Sequence, residues 1–171
     1  MLGDTVRLPV LDDYTHLTHK IVSAIRWTLG HVETNYILKV DEDTWVNPAG
    51  VTAWLHNQGL AANAAYGGFL TKEGEPVMRE GKWAVPYDVY NGTEFPVYAK
   101  GAGYFLSSSA ATRILSALQT GTSPLIENVE DATIGFAARA TSVEPVRVNG
   151  LFDERPLPPG VPNCCRNHTL L

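Results

Sequence analysis

Apolar residues recur at steps of three and four through Leu17, Ile21, Ala24, Ile25 and Leu29. That period predicts an amphipathic helix over "DDYTHLTHKIVSAIRWTLGHV", capped by Asp12 or Asp13 and stopped by Gly30. Ahead of it, "DTVRLPVL" (4–11) reads as a short strand, with Pro9 marking an edge or a bend. "NYILKV" (35–40) is short, apolar and β-rich, which predicts a buried strand. A second helix follows over "NPAGVTAWLHNQG", with Asn47 as cap, Pro48 in the first turn and Gly59 past the end. "AAYGGFLT" (64–71) is a strand candidate weakened by Gly67-Gly68.

Residues 72–96 show no period and read as a long surface excursion with one strand near Trp83-Ala84-Val85. Next come a Gly-rich turn, a short strand through Tyr104-Phe105-Leu106, and a helix capped by Ser107 or Ser108 and ended by Gly121. "NVEDATIGFAARA" predicts a short helix from Asn128, "SVEPVRVNG" a last strand, and the proline-rich tail from Arg155 an irregular end. Strands alternating with helices predict an α/β sandwich, as one domain with no internal repeat or linker.

Composition agrees with a packed fold: 44% of the 171 residues are apolar. The balance of 13 basic against 18 acidic residues, a formal net of −5, leaves no basic face for nucleic acid. No apolar run reaches the roughly 18 residues of a membrane span. "MLGDTVRLPVLDD" is too acidic for a signal peptide, so the chain is expected to lack targeting or to be cut away from it. The neighbours Cys164-Cys165 give neither a disulfide framework nor paired zinc spacing.

The chemistry concentrates in a few places. Asp41, Glu42 and Asp43 end the predicted strand at 35–40, where three like charges repel at roughly a kcal/mol per close pair. A hard divalent cation removes that repulsion, since oxygen ligands suit Mg²⁺ and Mn²⁺. The plainer alternative is a solvated acidic turn beside a helix N-terminus. Glu130 and Asp131 fall in the first turn of a predicted helix, where acids belong for dipole reasons alone. Gly101 and Gly103 allow close backbone approach or a simple turn, without the third glycine of a dinucleotide fingerprint. Trp83, Tyr87, Tyr90, Phe95 and Tyr98 suit either a sugar-binding surface or the core. Asn91-Gly92-Thr93 and Asn167-His168-Thr169 match the N-glycosylation tripeptide, which is common by chance.

Taken in order, these segments resemble the β-1,3-glycosyltransferases of glycosyltransferase family 31. "LDDYTHLTHK" is similar to the family's D-x-Y-x-N-L-T-x-K, with His16 for Asn. "ILKVDEDTWVN" is similar to L-K-x-D-D-D-x-F-V-N, with Glu42 as the middle acid and Trp45 for Phe. "KWAVPYDVYNGTEFPVYAKGAGYFLS", "VEDATIG" and "CCRNHTLL" follow the family's later segments, the last one shortened. The resemblance implies a GT-A fold, a mixed central sheet flanked by helices, here lacking the first nucleotide-binding βα unit. It implies inverting transfer of galactose or N-acetylglucosamine from a UDP-sugar donor to a glycan hydroxyl of a glycoprotein or glycolipid acceptor, in β-1,3 linkage, in the Golgi.

Carried over by position, the resemblance makes Asp43 the direct Mn²⁺ ligand. Asp41 supports the metal or ribose, Glu42 lies in the same cofactor-binding cluster, and His168 is a second metal ligand. It makes Asp131 the general base. Trp83, Gly101, Gly103, Tyr104 and Glu130 become substrate-binding positions. Two alternatives stand beside this reading. One is a non-catalytic carbohydrate-binding or interaction domain derived from such an enzyme. The other is a receiver-like domain with an acidic phosphoacceptor pocket, which the irregular 72–104 excursion disfavours.

Overall fold

The computed structural model describes residues 5–57, 65–148 and 168–170, with backbone alone for Trp45 and for 168–170. A single 3₁₀ turn at Tyr14–His16, capped by the Asp13 carboxylate accepting from the Thr15 amide, leads into α1, Leu17–His31. Then come β1 (Tyr36–Val40), β2 (Thr44–Val46), α2 (Pro48–Asn57), β3 (Tyr66–Leu70) and β4 (Ala99–Ser107). They are followed by α3 (Ser108–Gln119), α4 (Glu130–Ala140), β5 (Pro145–Arg147) and β6 (His168–Leu170). The main sheet is mixed, in the order β1-β4-β3-β5, with β1 and β3 antiparallel to β4 and β5 parallel to β3. This is an α/β arrangement compatible with the GT-A-like fold.

Strand pairing divides the sheet into two faces. Ile37 lies opposite Leu106 and Lys39 opposite Tyr104, so these side chains share one face. That face packs on α1, α3 and α4 through Val22, Ile25, Ile114, Leu115, Ile134 and Ala138. Leu38, Val40 and Phe105 take the other face and meet Trp54 and Leu55 of α2. The start of α1 is stitched to the loop before α4: the Thr18 hydroxyl donates to the Ile126 carbonyl (2.6 Å) and the Thr18 amide to Glu127 (3.1 Å). The N-terminus of α4 is thereby fixed against the sheet.

Several expectations change. Residues 5–11 form no strand, because the Val10 amide closes a tight turn onto the Leu8 carbonyl around Pro9. Gly30 does not stop α1, which runs on to His31; helical φ/ψ suits glycine well enough to continue. Residues 83–85 are turn and coil rather than a strand. The Arg79 guanidinium donates to the carbonyls of Val85, Tyr90 and Gly92, which satisfies backbone that a ladder would otherwise pair. The excursion instead builds a small core from Val77, Val85, Phe95 and Tyr98 with Ile126 and Val129. Gly101 and Gly103 lie inside β4 rather than in a turn, because β4 has partners on both sides. Helix α4 starts at Glu130, two residues later than Asn128. The tail is not wholly irregular: β6 pairs in parallel with β2, setting His168 beside Thr44. Gly59, Cys164 and Cys165 lie outside the described residues.

Helix α4 sits very close to the end of the excursion. A Cβ built on Gly135 would lie 2.4 Å from the Tyr98 Cβ. Gly135→Ala is therefore expected to push α4 off Tyr98 and destabilise the fold by about 1–3 kcal/mol, read from urea unfolding. An unchanged midpoint would show that the helix yields without strain.

Candidate active site

The three acids of 41–43 occupy a turn at the carboxyl end of β1. The Thr44 amide donates to the Asp41 carbonyl (3.1 Å) and closes it. The turn hangs on β4: the Asp41 amide (3.3 Å) and the Thr44 hydroxyl (3.0 Å) both donate to the Ala102 carbonyl. Within it Glu42 is exposed and Asp43 half-buried, while the Asp41 side chain keeps 45% of its surface. The carboxyl ends of strands are where open α/β sheets bind ligands.

The acids of α4 approach the same edge from the helical side. Asp131 Oδ1 accepts from the Ala132 amide and Oδ2 from the Gly101 amide, each at 2.9 Å. The first bond satisfies an orphan N–H of the helix start, and the second ties the helix to β4. A Cβ on Gly101 would make ordinary contacts, 3.4 Å from both Asp131 Oδ2 and Glu130 Oε1, so both carboxylates pack directly on this strand position. Glu130 is buried at 3% exposure and accepts from the Tyr104 hydroxyl at 3.0 Å. Asp131, next along, keeps part of its surface open to solvent.

Lys39 joins the two groups. Its Nζ lies 2.5 Å from Asp41 Oδ1 and 2.9 Å from Glu130 Oε1, and it donates to the Gly101 carbonyl. The contact to Glu130 is an ion pair without hydrogen-bond alignment, which leaves Oε1 formally unbonded. The ammonium is buried, which disfavours its charge, but Glu130 and Asp41 outweigh burial and hold its pKa above the ordinary lysine value. Asp41 and Asp131 thus share one cluster, bridged by Lys39 and Gly101. Sequence reasoning gave Lys39 no role. Its signal was parity: a charged residue at a position of β1 that faces the core.

Burial tunes the acids. It raises the Glu130 carboxyl from 4.5 to about 7, with Asp131 adding and Lys39 opposing. It also raises Asp131, against the lowering effect of the Ala132 and Gly101 amides. Between pH 4.5 and about 7 the folded chain therefore keeps a proton on Glu130 that the unfolded chain has released. Stability from this group is full below that window and is lost as pH climbs through it, by roughly 3 kcal/mol. Glu130→Gln is expected to flatten that fall in urea-unfolding free energy. A slope unchanged by the substitution would mean that Glu130 ionises like an exposed carboxylate.

Other positions divide between rim and interior. Trp83 is 48% exposed and its indole N–H donates to the Tyr14 hydroxyl at 3.0 Å, with the Lys82 ammonium 4.1 Å from the Tyr14 ring centre. The Asn128 amide donates to the Lys82 carbonyl (2.8 Å), which holds this aromatic rim beside the start of α4. Tyr104 is fully buried with no ring face left for a sugar; its hydroxyl serves Glu130. Gly103 is buried in β4 opposite Val40. Two cavities among the described residues lie away from this cluster. One, of about 640 Å³, runs between β1 and α2, and the other, of about 470 Å³, borders Tyr87 and Asn91.

Among the described residues no three His, Cys, Asp or Glu side chains converge as a metal site. The oxygen donors of Asp41 and Asp43 sit in one turn, with Asp41 engaged by Lys39. The backbone of β6 brings position 168 alongside Thr44, next to Asp43. Carboxylate oxygens gathered in one turn are the donor type that hard divalent cations prefer.

The sequence model of the galactosyltransferase family matches residues 1–149, and the chain belongs to that family. It is 29% identical over 146 residues to mouse β-1,3-galactosyltransferase 2, covering 84% of this chain and 34% of that protein. It is 26% identical over 145 residues to zebrafish lactosylceramide 1,3-N-acetyl-β-D-glucosaminyltransferase A, covering 83% of this chain and 38% of the relative. To the hydroxyproline O-galactosyltransferase GALT2 of Arabidopsis thaliana it is 31% identical over 115 residues, 67% of this chain and 16% of that one. The chain thus spans well under half the length of these relatives. No described helix is long and apolar enough to cross a membrane.

Proposed function

We propose that this chain carries the acid machinery of an inverting UDP-sugar hexosyltransferase that builds β-1,3 linkages to glycan hydroxyls. The observation that carries this reading is the Lys39 bridge, which unites the 41–43 turn with the Glu130-Asp131 pair along one sheet edge. The acceptor oxygen attacks the anomeric carbon as the bond from that carbon to UDP breaks, and Asp131 takes the hydroxyl proton. Asp131 suits this role because it is the acid of the pair that reaches solvent, with a pKa raised by burial. Glu130, buried beneath it, sets its surroundings. The exposed Trp83–Tyr14 rim would meet the acceptor.

Asp43, with Asp41 and His168, would hold a Mn²⁺ ion. Such an ion supplies positive charge to the departing diphosphate. The names of the relatives divide among galactose, N-acetylglucosamine and N-acetylgalactosamine, and the donor proposed here is one of the first two. A Golgi lumen is the proposed location.

Isothermal calorimetry tests this directly. UDP is expected to bind in the presence of Mn²⁺ and to lose at least roughly tenfold in affinity in Asp43→Ala. A folded chain that binds glycans while ignoring UDP and metal would instead be a carbohydrate-binding domain.

A further inference from the structure

We propose that Asn91 is an N-glycosylation site whose first sugar rests in the hollow beside it. The proposal rests on the lumenal location above but not on the transfer chemistry. Asn91-Gly92-Thr93 supplies the acceptor tripeptide, and both Asn91 and Thr93 are exposed. Their loop is held from beneath. The Arg79 guanidinium donates to the carbonyls on either side of Asn91, those of Tyr90 and Gly92, and to Val85. The Tyr90 hydroxyl donates to the Glu94 carbonyl at 2.9 Å, so its ring crosses the loop. A Cβ on Gly92 would fall 2.2 Å from that hydroxyl oxygen, so glycine at the middle position lets the Tyr90 ring lie across it. The backbone is thus fixed while the Asn91 amide, which has no hydrogen bond among the described residues, stays outside.

The hollow of about 470 Å³ at Asn91 is lined by Tyr87, Asp88, Thr122 and Ser123 among others. Tyr87 is 69% exposed, and the Arg79 guanidinium lies 3.9 Å from its ring centre, covering one face. The other face is free to stack on the apolar face of a pyranose. Asp88, Thr122 and Ser123 offer oxygens to its hydroxyl and acetamido groups. The modification balances simply. The Asn91 amide nitrogen bonds to the anomeric carbon of a lipid-diphosphate-linked oligosaccharide, loses one proton, and the lipid diphosphate leaves with the bonding electrons.

The test expresses the full chain behind a cleavable secretion signal in a eukaryotic host, in an Asn167→Gln background so that any N-glycan reports on Asn91. Enzymatic release of N-glycans followed by mass spectrometry is expected to show Asn91 converted to aspartate, and both Asn91→Gln and Thr93→Ala abolish the glycan. Trimming to the first sugar is expected to leave Tm unchanged, while release of the whole glycan lowers it by about 2–4 °C. In Tyr87→Ala that drop disappears. A folded, secreted chain with Asn91 unmodified overturns the proposal, and a Tm indifferent to release overturns the seating in the hollow. UDP binding measured on the same material reports separately on the transferase reading.

Discussion

Asp131→Asn is expected to lower turnover by about 10²–10⁴-fold, the usual worth of a positioned proton acceptor, while UDP affinity stays within a few-fold. The split follows from position. Asp131 sits on α4, across Gly101 from the 41–43 turn, so a base there is expected to serve the acceptor and leave the diphosphate side alone. Its two oxygens accept from the Gly101 and Ala132 amides, and asparagine retains only one acceptor. The amide variant therefore also leaves an N–H poorly met, costing roughly 1–3 kcal/mol of stability. A matched measurement of UDP binding separates that loss from the chemistry. In the parent protein the raised pKa of Asp131 is expected to set the acid limb of the rate profile. The base works ionised, so rate is lost as pH falls through that raised value, earlier than for an ordinary carboxylate. If Asp131→Asn keeps its turnover while Glu130→Gln loses it, the base has been assigned to the wrong acid.

Much of this site was legible in the sequence because its parts are local. An apolar run ending in Asp41-Glu42-Asp43 predicts a strand with acids at its mouth, and that is where the turn lies. The period from Leu17 to Leu29 predicts α1, and the Asn47 side chain caps α2 by accepting from the Gly50 amide at 3.1 Å. What sequence did not convey depends on contacts distant along the chain. Gly101 and Gly103 look like a turn until β4 is given a neighbour on each side. Trp83-Ala84-Val85 looks like a strand until Arg79 takes the Val85 carbonyl. Tyr104 looks like a sugar platform until its hydroxyl is found on Glu130, in the core. Lys39 looks like an interruption of an apolar strand until α4 delivers Glu130 to it. Each of these depends on which partner arrives, and periodicity carries no information about partners.

Lys39→Met is expected to be the most damaging single change to stability, and its cost grows with pH. Removing the ammonium leaves Glu130 buried without its counter-charge, and breaking a buried pair from one side typically costs about 3–5 kcal/mol. That range applies where Glu130 must ionise. Its pKa is already raised to about 7 beside Lys39, and without Lys39 it rises further. Below pH 4.5 the group is neutral in both folded and unfolded chains, so the variant loses little through it. As pH climbs, the unfolded chain releases the proton, the variant's folded state retains it, and the deficit widens. Removing both charges in Lys39→Met/Glu130→Gln is expected to recover most of the loss at alkaline pH, because neither buried group is then left uncompensated. The recovery should not extend to function. Asp41 and the Gly101 carbonyl still lose the ammonium that joins them, so the link between the 41–43 turn and the β4 segment holding Asp131 is left to the bonds at the Ala102 carbonyl. A stable double variant with weakened UDP binding and lowered turnover separates what Lys39 does for the fold from what it does for the site. A double variant as active as the parent would reduce the Lys39 bridge to a packing device.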